Sequence, residues 1–190
     1  MIELNKEQQI KLLKLARKTI NEYLVNNSIN GIDSTEFLDD IFNEKCGAFV
    51  TIHIKGKLRG CIGYIKGIKI MPETIKDMAK ASAFQDPRFS PLTKEEFKNI
   101  DIEISIMSPI EVVKGVSDIV IGRDGLIISS GGRSGLLLPQ VATEQKWDLQ
   151  HFLENICYKA GLPGDAWKRS DTILEKFSAQ VFGEKDLGLI

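Results

Sequence analysis

The feature that most constrains the fold is a run of alternating apolar residues from Cys46 to Tyr64, interrupted by the triplet Lys55-Gly56-Lys57. Apolar residues at every second position indicate strands with one buried face, and a short glycine-containing interruption indicates a tight turn. The segment is therefore a predicted β-hairpin. The pattern also predicts the pairing register, because a slip of one residue would move every apolar side chain to the opposite face.

The predicted register places Ile54 opposite Leu58. This arrangement gathers the apolar side chains of the hairpin on one buried face, namely Val50, Ile52, Leu58 and Ile62. Thr51 then lies opposite Cys61, and His53 lies opposite Arg59. The other face of the hairpin therefore carries a thiol, an imidazole and a guanidinium close together.

This second face is the candidate site. A cation such as Arg59 favours the thiolate of a nearby cysteine, and the thiolate is its reactive form. We expect Cys61 to act as nucleophile or redox thiol, Arg59 as an anion clamp and His53 as a proton carrier. The same pattern also fits an inert packing cysteine beside a solvated histidine, because His53 and Cys61 are diagonal neighbours about 7–8 Å apart rather than directly opposed.

The rest of the chain mixes helical and strand periodicity without regular strand–helix alternation. That order favours an α+β fold with a mostly antiparallel sheet and flanking helices. The predicted elements are a helix over Lys6–Asn26 opened by an Asn5–Gln8 capping box, a short turn from Ser34 to Asp40, a helix starting at Pro72, an irregular segment from Asp86 to Pro91, a short helix from Thr93 to about Asn99, a strand over Ile100–Ile106, a hairpin of Val116–Ile121 and Leu126–Ser129, a strand over Leu136–Leu138, a helix over Asp148–Ala160 and a strand over Thr172–Phe182.

Composition excludes several classes of protein. The 190 residues suffice for one core, with a smaller lobe from the middle of the chain at most, and the net charge of -1 gives no global attraction to nucleic acid or membrane. Three separated cysteines and two histidines do not suggest disulfides or a metal centre, and neither GxxxxGK[ST] nor GxGxxG occurs, so no metal is expected and the cofactor stays unassigned. Without a leader-like N-terminus or a long apolar run, a cytoplasmic protein outside the membrane is expected.

Several further residues are candidate ligand contacts. Gly60 and Gly63 leave hairpin backbone uncovered, and the run from Gly131 to Gly135 could present amides and the Arg133 guanidinium to an anion, although such runs are also common as plain strand connections. Other polar side chains could extend the site or could be a locally paired loop and a solvated helix edge. These are Asp86, Arg88, Gln140 and Glu144.

The string Leu58-Arg59-Gly60-Cys61-Ile62-Gly63 resembles the signature of the AMMECR family. The resemblance continues through Asp86-Pro87-Arg88-Phe89, Leu137-Leu138-Pro139-Gln140-Val141-Ala142 and Ala160-Gly161-Leu162-Pro163, and thus covers nearly the whole chain. It implies a single compact, two-lobed α+β domain of the AmmeMemoRadiSam system, with a Memo-like protein and a radical SAM protein as partners. Because both segments match the family, we also expect the loop from Asp86 to Pro91 to lie against the hairpin. The family has no settled activity.

Two hypotheses follow. In the first, the protein is an enzyme of an uncharacterised modification pathway that uses a groove centred on Arg59 and Cys61. In the second, the same groove belongs to a non-catalytic module that binds a small anion, a nucleic acid or a protein partner. A selectively reactive Cys61 would favour the first hypothesis, and an unreactive thiol with measurable affinity for a partner would favour the second.

Overall fold

A computed structural model describes residues 3–29, 31–32 and 36–190. Over these residues the chain folds into five α-helices and seven strands, with every pairing given below antiparallel, so the α+β class is confirmed. The elements are α1 (Lys6–Asn26), β1 (Ala48–Ile54), β2 (Lys57–Tyr64), α2 (Met71–Phe84), α3 (Lys94–Phe97), β3 (Ile100–Met107), β4 (Glu111–Val112), β5 (Asp124–Ser130), β6 (Arg133–Leu137), α4 (Pro139–Glu144), α5 (Leu149–Lys159) and β7 (Ile173–Gly183). The chain divides into two compact units, the first comprising residues 1–107 and 180–190 and the second residues 108–179.

In the first unit, β1 lies between β2 and β3 and pairs with both. Alternation along these strands presents Val50 and Ile52 of β1 and Ile102 and Ile104 of β3 to one face, where all four are fully buried. Helices α1 and α2 supply the apolar side chains that cover this face, among them Leu12, Leu13, Ala16, Ile20, Ile75 and Ala79. We call this covered side the inner face of the sheet; the opposite side is its outer face.

The local signals at the helix starts are confirmed. Asn5 accepts a hydrogen bond from the backbone N–H of Gln8, whose side chain in turn accepts from the backbone of Asn5, and Thr93 and Glu96 make the same reciprocal pair before α3. Each box satisfies backbone donors that a helix start leaves without intrahelical partners. Of the turn predicted from Ser34 to Asp40, residues 34 and 35 lie outside the described part of the chain.

The second unit contains β4, β5, β6, α4, α5 and the first part of β7. Strand β5 pairs with β6 on one side and with β7 on the other, and β4 pairs with β7. The core of this unit joins the inward side chains of the strands to α5 and includes Leu126, Ile128, Leu137, Phe152, Ile156 and Cys157.

The hairpin predicted from Val116 to Ser129 is wrong. Residues Val116–Asp118 form a 3₁₀ turn, and the chain stays irregular until β5 begins at Asp124. The buried Asp124 carboxylate accepts a hydrogen bond from the N–H of Val120, whose carbonyl accepts from the N–H groups of Arg123 and Asp124, so the segment closes on itself. The hairpin in this region is β5–β6, joined through Gly131 and Gly132.

Candidate functional site

The Cys61 thiol meets the Thr51 hydroxyl on the outer face of the hairpin. Thr51 and Cys61 are directly opposed, as predicted, and Thr51 Oγ1 lies 3.2 Å from Cys61 Sγ. Both backbone polar groups of Cys61 bond away from β1, so this is a non-hydrogen-bonded pair, the type in which opposed Cα atoms come within about 4.5 Å. The close pairing explains how two short side chains reach each other.

The loop after α2 lies against the hairpin, as predicted, and binds the outer edge of β2. The Asp86 carboxylate accepts a hydrogen bond of 2.9 Å from the Cys61 N–H, and the Arg88 guanidinium donates one of 3.2 Å to the Cys61 carbonyl. The same two side chains form a bidentate ion pair. The hydrogen bond from Arg88 holds the pKa of Asp86 far below its usual range, and the Asp86 carboxylate raises the pKa of Arg88.

Arg59 makes its contacts with Glu96 rather than with an open groove. Its Nε and one terminal amine donate to the two oxygens of Glu96 at 2.8 and 3.0 Å, and that amine also donates to the Ser90 carbonyl at 2.8 Å. The hydrogen bonds from Arg59 lower the pKa of Glu96 to about 2. The other terminal amine, Nη1, is buried and has no hydrogen-bond partner among the described residues, so the role of Arg59 as an anion clamp stays a prediction. The cation bonded at Cys61 itself is Arg88.

Phe89 packs between these two ion pairs. Its ring centroid lies 5.6 Å from the guanidinium carbons of both Arg59 and Arg88, a distance at which the ring face attracts cations. The loop and α3 thus fix β2 through one aromatic ring and two charge pairs.

The predicted pairing of His53 with Arg59 is wrong, and so is that of Ile54 with Leu58. A bulge between Ile52 and His53 leaves Arg59 as an extra residue on β2, so that His53 lies opposite Leu58 and Ile54 opposite Lys57. Leu58 consequently leaves the buried set and is 43% exposed. The cause is the turn, which holds only two residues, Lys55 and Gly56, both with positive φ. The pairing of Thr51 with Cys61, continued without a bulge, would leave three residues in the turn, so one residue of β2 stays unpaired.

His53 lines a separate cleft of about 230 Å³ on the first unit. The charged side chains around it are Asp101, Glu103, Lys185 and Asp186, with Gly56 and Gly183 completing the wall. Lys185 is paired with Asp101 at 2.9 Å. Burial raises the pKa of Glu103, with Asp186 and Asp101 adding to the increase and His53 opposing it. Sequence reasoning missed Glu103: alternation along β3 puts it on the polar face, but its place opposite Thr51 comes from the pairing of β1 with β3.

The glycines of the motif are explained by packing. A Cβ at Gly60 would lie 2.1 Å from the Ser82 carbonyl oxygen in α2, and one at Gly63 would lie 2.3 Å from the Phe49 ring. Gly60 is also buried. The absent side chains therefore admit α2 and Phe49, and access for a ligand is not needed to account for them.

The three cysteines differ in environment. Cys61 is half-buried, whereas Cys46 and Cys157 are buried. Burial raises the pKa of Cys46 to about 11, with a smaller contribution from Glu44, and burial also raises the pKa of Cys157. Desolvation suppresses the thiolate at both of these positions.

The other candidate residues belong to the second unit. Arg133 is exposed at the start of β6 and donates a hydrogen bond of 2.7 Å to the Gly161 carbonyl. Gln140 and Glu144 are exposed at the two ends of α4, a helix that sequence periodicity did not predict. The run from Gly131 to Gly135 is a strand connection, in which Gly131 and Gly132 with positive φ form the turn.

The described residues contain neither a membrane-spanning helix nor a cluster of metal ligands. No helix in the described part of the chain is long and apolar enough to cross a bilayer. Among those same residues, no group of three or more His, Cys, Asp and Glu side chains is arranged to hold a metal ion.

Comparison with known proteins places this chain beside uncharacterised archaeal proteins. The family model described as AMMECR1 matches residues 13–182. A protein of Methanothermobacter thermautotrophicus is 41% identical over 95% of this chain and 96% of its own, and protein MJ0810 of Methanocaldococcus jannaschii is 41% identical over 90% and 88%. The crystal structure of uncharacterized protein PH0010 from Pyrococcus horikoshii superposes with a TM-score of 0.81 at 40% identity, covering 96% of this chain and 94% of that one.

Proposed function

The chain belongs to the AMMECR1 family, and on that premise we propose that it is an enzyme whose reactive group is the Cys61 thiol. The reaction class is nucleophilic or redox chemistry at sulfur, within an uncharacterised modification pathway. The Asp86–Arg88 pair and the Arg59–Glu96 pair serve this chemistry by holding β2, and with it the thiol, in a fixed position.

The observation that carries the proposal is the 3.2 Å contact between Thr51 Oγ1 and Cys61 Sγ on a half-buried surface. A hydroxyl that donates a hydrogen bond to sulfur stabilises the thiolate over the thiol. Partial burial limits competing water, and partial exposure leaves a route for an electrophile. Neither Cys46 nor Cys157 combines these properties.

Candidate partners come from the resemblance of the chain to the AmmeMemoRadiSam system. A Memo-like protein and a radical SAM protein would then act in the same pathway, before or after the step at Cys61. Co-expression with each of them, followed by mass spectrometry of Cys61, tests whether either supplies a group that this thiol accepts.

The direct test is the labelling rate of each cysteine by iodoacetamide near neutral pH, followed by peptide mass spectrometry on the native protein. We expect Cys61 to react at least about tenfold faster than Cys46 and Cys157, since thiolate content and exposure together set the rate. The Cys61→Ser protein supplies the background rate of the other two thiols. Labelling of Cys61 at or below the rate of the buried pair would refute the proposal.

A second candidate function is a binding module for a small anion, a nucleic acid or a protein partner. The ion pairs of the two arginines favour it. Arg59 is paired with Glu96 and Arg88 with Asp86, so both guanidiniums hold the surface together. The Cys61→Ser variant separates the two functions. A binding module keeps its ligand affinity without the thiol, whereas an enzyme acting through sulfur loses turnover. Mass spectrometry of any co-purified ligand identifies which class is bound.

A further inference from the structure

Three side chains form a row across three strands on the outer face of the first unit. Cys61 of β2 is opposed to Thr51 of β1, and Thr51 is opposed to Glu103 of β3. Because the backbone groups of a strand residue alternate between its two neighbours, Thr51 forms a non-hydrogen-bonded pair with Cys61 and a hydrogen-bonded pair with Glu103. Directly opposed residues have Cβ atoms about 4.5–5.5 Å apart. The row therefore places Thr51 between Cys61 and Glu103, with its hydroxyl donating to the Cys61 sulfur.

The Glu103 side chain also lines a cleft that is open to solvent. It lines the 230 Å³ cleft together with His53, Asp101, Lys185 and Asp186. Lys185 forms an ion pair with Asp101. The other titratable groups that face Glu103 are the Asp186 carboxylate and the His53 imidazole. A proton on Glu103 can thus leave to water through the cleft without passing the thiol.

We propose that Glu103 exchanges protons with Cys61 through the Thr51 hydroxyl. This inference rests on the proposed function, since it assigns the proton acceptor for the same thiol. Thr51 contacts the reacting sulfur, and Glu103 acts through Thr51. The row replaces His53 as the route for the proton, because the bulge places His53 opposite Leu58 and no hydrogen bond joins it to Cys61 among the described residues.

The transfer conserves atoms and charge. In the observed contact the Thr51 hydroxyl donates to Cys61 Sγ, so the O–H bond first rotates toward Glu103. The S–H bond of Cys61 then breaks as its proton passes to Thr51 Oγ1, and the hydroxyl proton of Thr51 passes to a carboxylate oxygen of Glu103. Thr51 ends unchanged, Cys61 becomes a thiolate and Glu103 becomes a neutral acid. When the thiolate attacks an alkyl iodide, an S–C bond forms, iodide leaves, and Glu103 releases its proton through the cleft.

The environment of Glu103 suits this role. Burial raises its pKa, and repulsion from Asp186 and Asp101 adds to the effect, so its carboxylate is a stronger base than that of an exposed glutamate. A pKa that moves toward the working pH improves a proton acceptor, because both protonation states are then populated during turnover.

The test is the rate of Cys61 alkylation by iodoacetamide from about pH 5 to about pH 9, measured by peptide mass spectrometry. The variants are Glu103→Gln, which keeps the shape but not the base, and Thr51→Val, which keeps the shape but not the hydroxyl. Thr51→Ser restores the hydroxyl. The matched control is Ser105→Ala, which lies two residues from Glu103 on the same face of β3, opposite Phe49.

We expect Glu103→Gln and Thr51→Val each to lower the rate about tenfold or more near neutral pH, and to remove one ionisation from the pH profile. The double variant should fall no further than either single one, because both remove the same path. Thr51→Ser should recover most of the rate, and Ser105→Ala should keep the profile of the native protein. Circular dichroism confirms folding, and Glu103→Met, which also lacks the base, replaces Glu103→Gln if the amide does not fold.

The outcomes separate the two proposals. If Cys61 is no faster than Cys46 and Cys157 in the native protein, the proposed function fails. If Cys61 is fast but Glu103→Gln or Thr51→Val leaves its pH profile unchanged, or Thr51→Ser loses as much as Thr51→Val, the proton path is wrong and the reactive thiol stands.

Discussion

The pair of Arg59 and Glu96 should make the stability of the protein depend on pH in acid. Glu96 is an ordinary glutamate in the unfolded chain, and its pKa falls from 4.5 to about 2 on folding because Arg59 bonds both of its oxygens. The pair therefore contributes its full stability above about pH 4.5, and the contribution disappears as pH falls toward 2.

The size of the effect follows from the pKa and the exposure. A change of this size corresponds to about 3 kcal/mol if it is fully expressed. A third of the Glu96 side chain is exposed, so water screens the charge, and we expect about 1–2 kcal/mol. In Glu96→Gln the Arg59 charge also loses its partner while only 14% exposed, which places the expected loss near 2 kcal/mol at neutral pH.

This loss is measured by urea unfolding of the native protein and of Glu96→Gln, each at neutral pH and at about pH 3. With a typical denaturant dependence, a loss of about 2 kcal/mol shifts the unfolding midpoint by about 1 M urea. Glutamine can keep the capping box at Thr93, so the cap contributes little to the difference. The control is Glu95→Gln, the adjacent glutamate of α3. A difference that stays constant from neutral to acid pH, or one that Glu95→Gln reproduces, would refute the reasoning.

Three other changes have defined outcomes. Gly60→Ala would place a methyl group 2.1 Å from the Ser82 carbonyl oxygen and should lower the free energy of unfolding by about 3 kcal/mol. Gly56→Ala, at a positive φ with open space around it, should lower it by only about 1 kcal/mol. Equal losses in urea titrations would contradict this. Asp86→Asn should speed hydrogen exchange of the Cys61 amide about tenfold by removing a charged acceptor, and unchanged exchange would show that the loop does not hold the strand edge. Glu184→Gln should destabilise the first unit by about 3 kcal/mol, because the carboxylate is 2% exposed and bonds both Arg17 and the Ile102 N–H; a loss below about 1 kcal/mol would contradict the pairing.

The elements that sequence predicted well are those with local causes. Helix α1 spans Lys6–Asn26 as predicted, because Asn5 and Gln8 set its start and the apolar spacing sets its buried face. The opposition of Thr51 and Cys61 followed from the predicted register, which is wrong at the turn but is restored beyond it by the bulge at Arg59. The contact of the Asp86–Pro91 loop with the hairpin followed from family resemblance, since nothing local in the loop indicates its partner.

The elements that sequence did not predict depend on competing local geometries. Lys55 adopts a positive φ that non-glycine residues rarely take, and this shortens the hairpin turn and displaces Arg59 and His53 from their predicted pairing. The apolar pattern from Val116 to Ile121 resembles a strand, but the buried Asp124 carboxylate bonds back to Val120 and folds the segment into a turn. The pairing of Arg59 with Glu96 was not predictable, because Glu96 three residues after Thr93 indicates a helix cap and nothing in the spacing indicates a second partner.

The side chains that hold Cys61 also affect how this sheet meets other chains. A strand at the end of a sheet offers unpaired N–H and C=O groups, which can recruit a strand from another molecule and start aggregation. On β2, both backbone groups of Cys61 are already bonded by Asp86 and Arg88, which occupy the position of a neighbouring strand at this point. The loop therefore blocks strand addition at this point of β2.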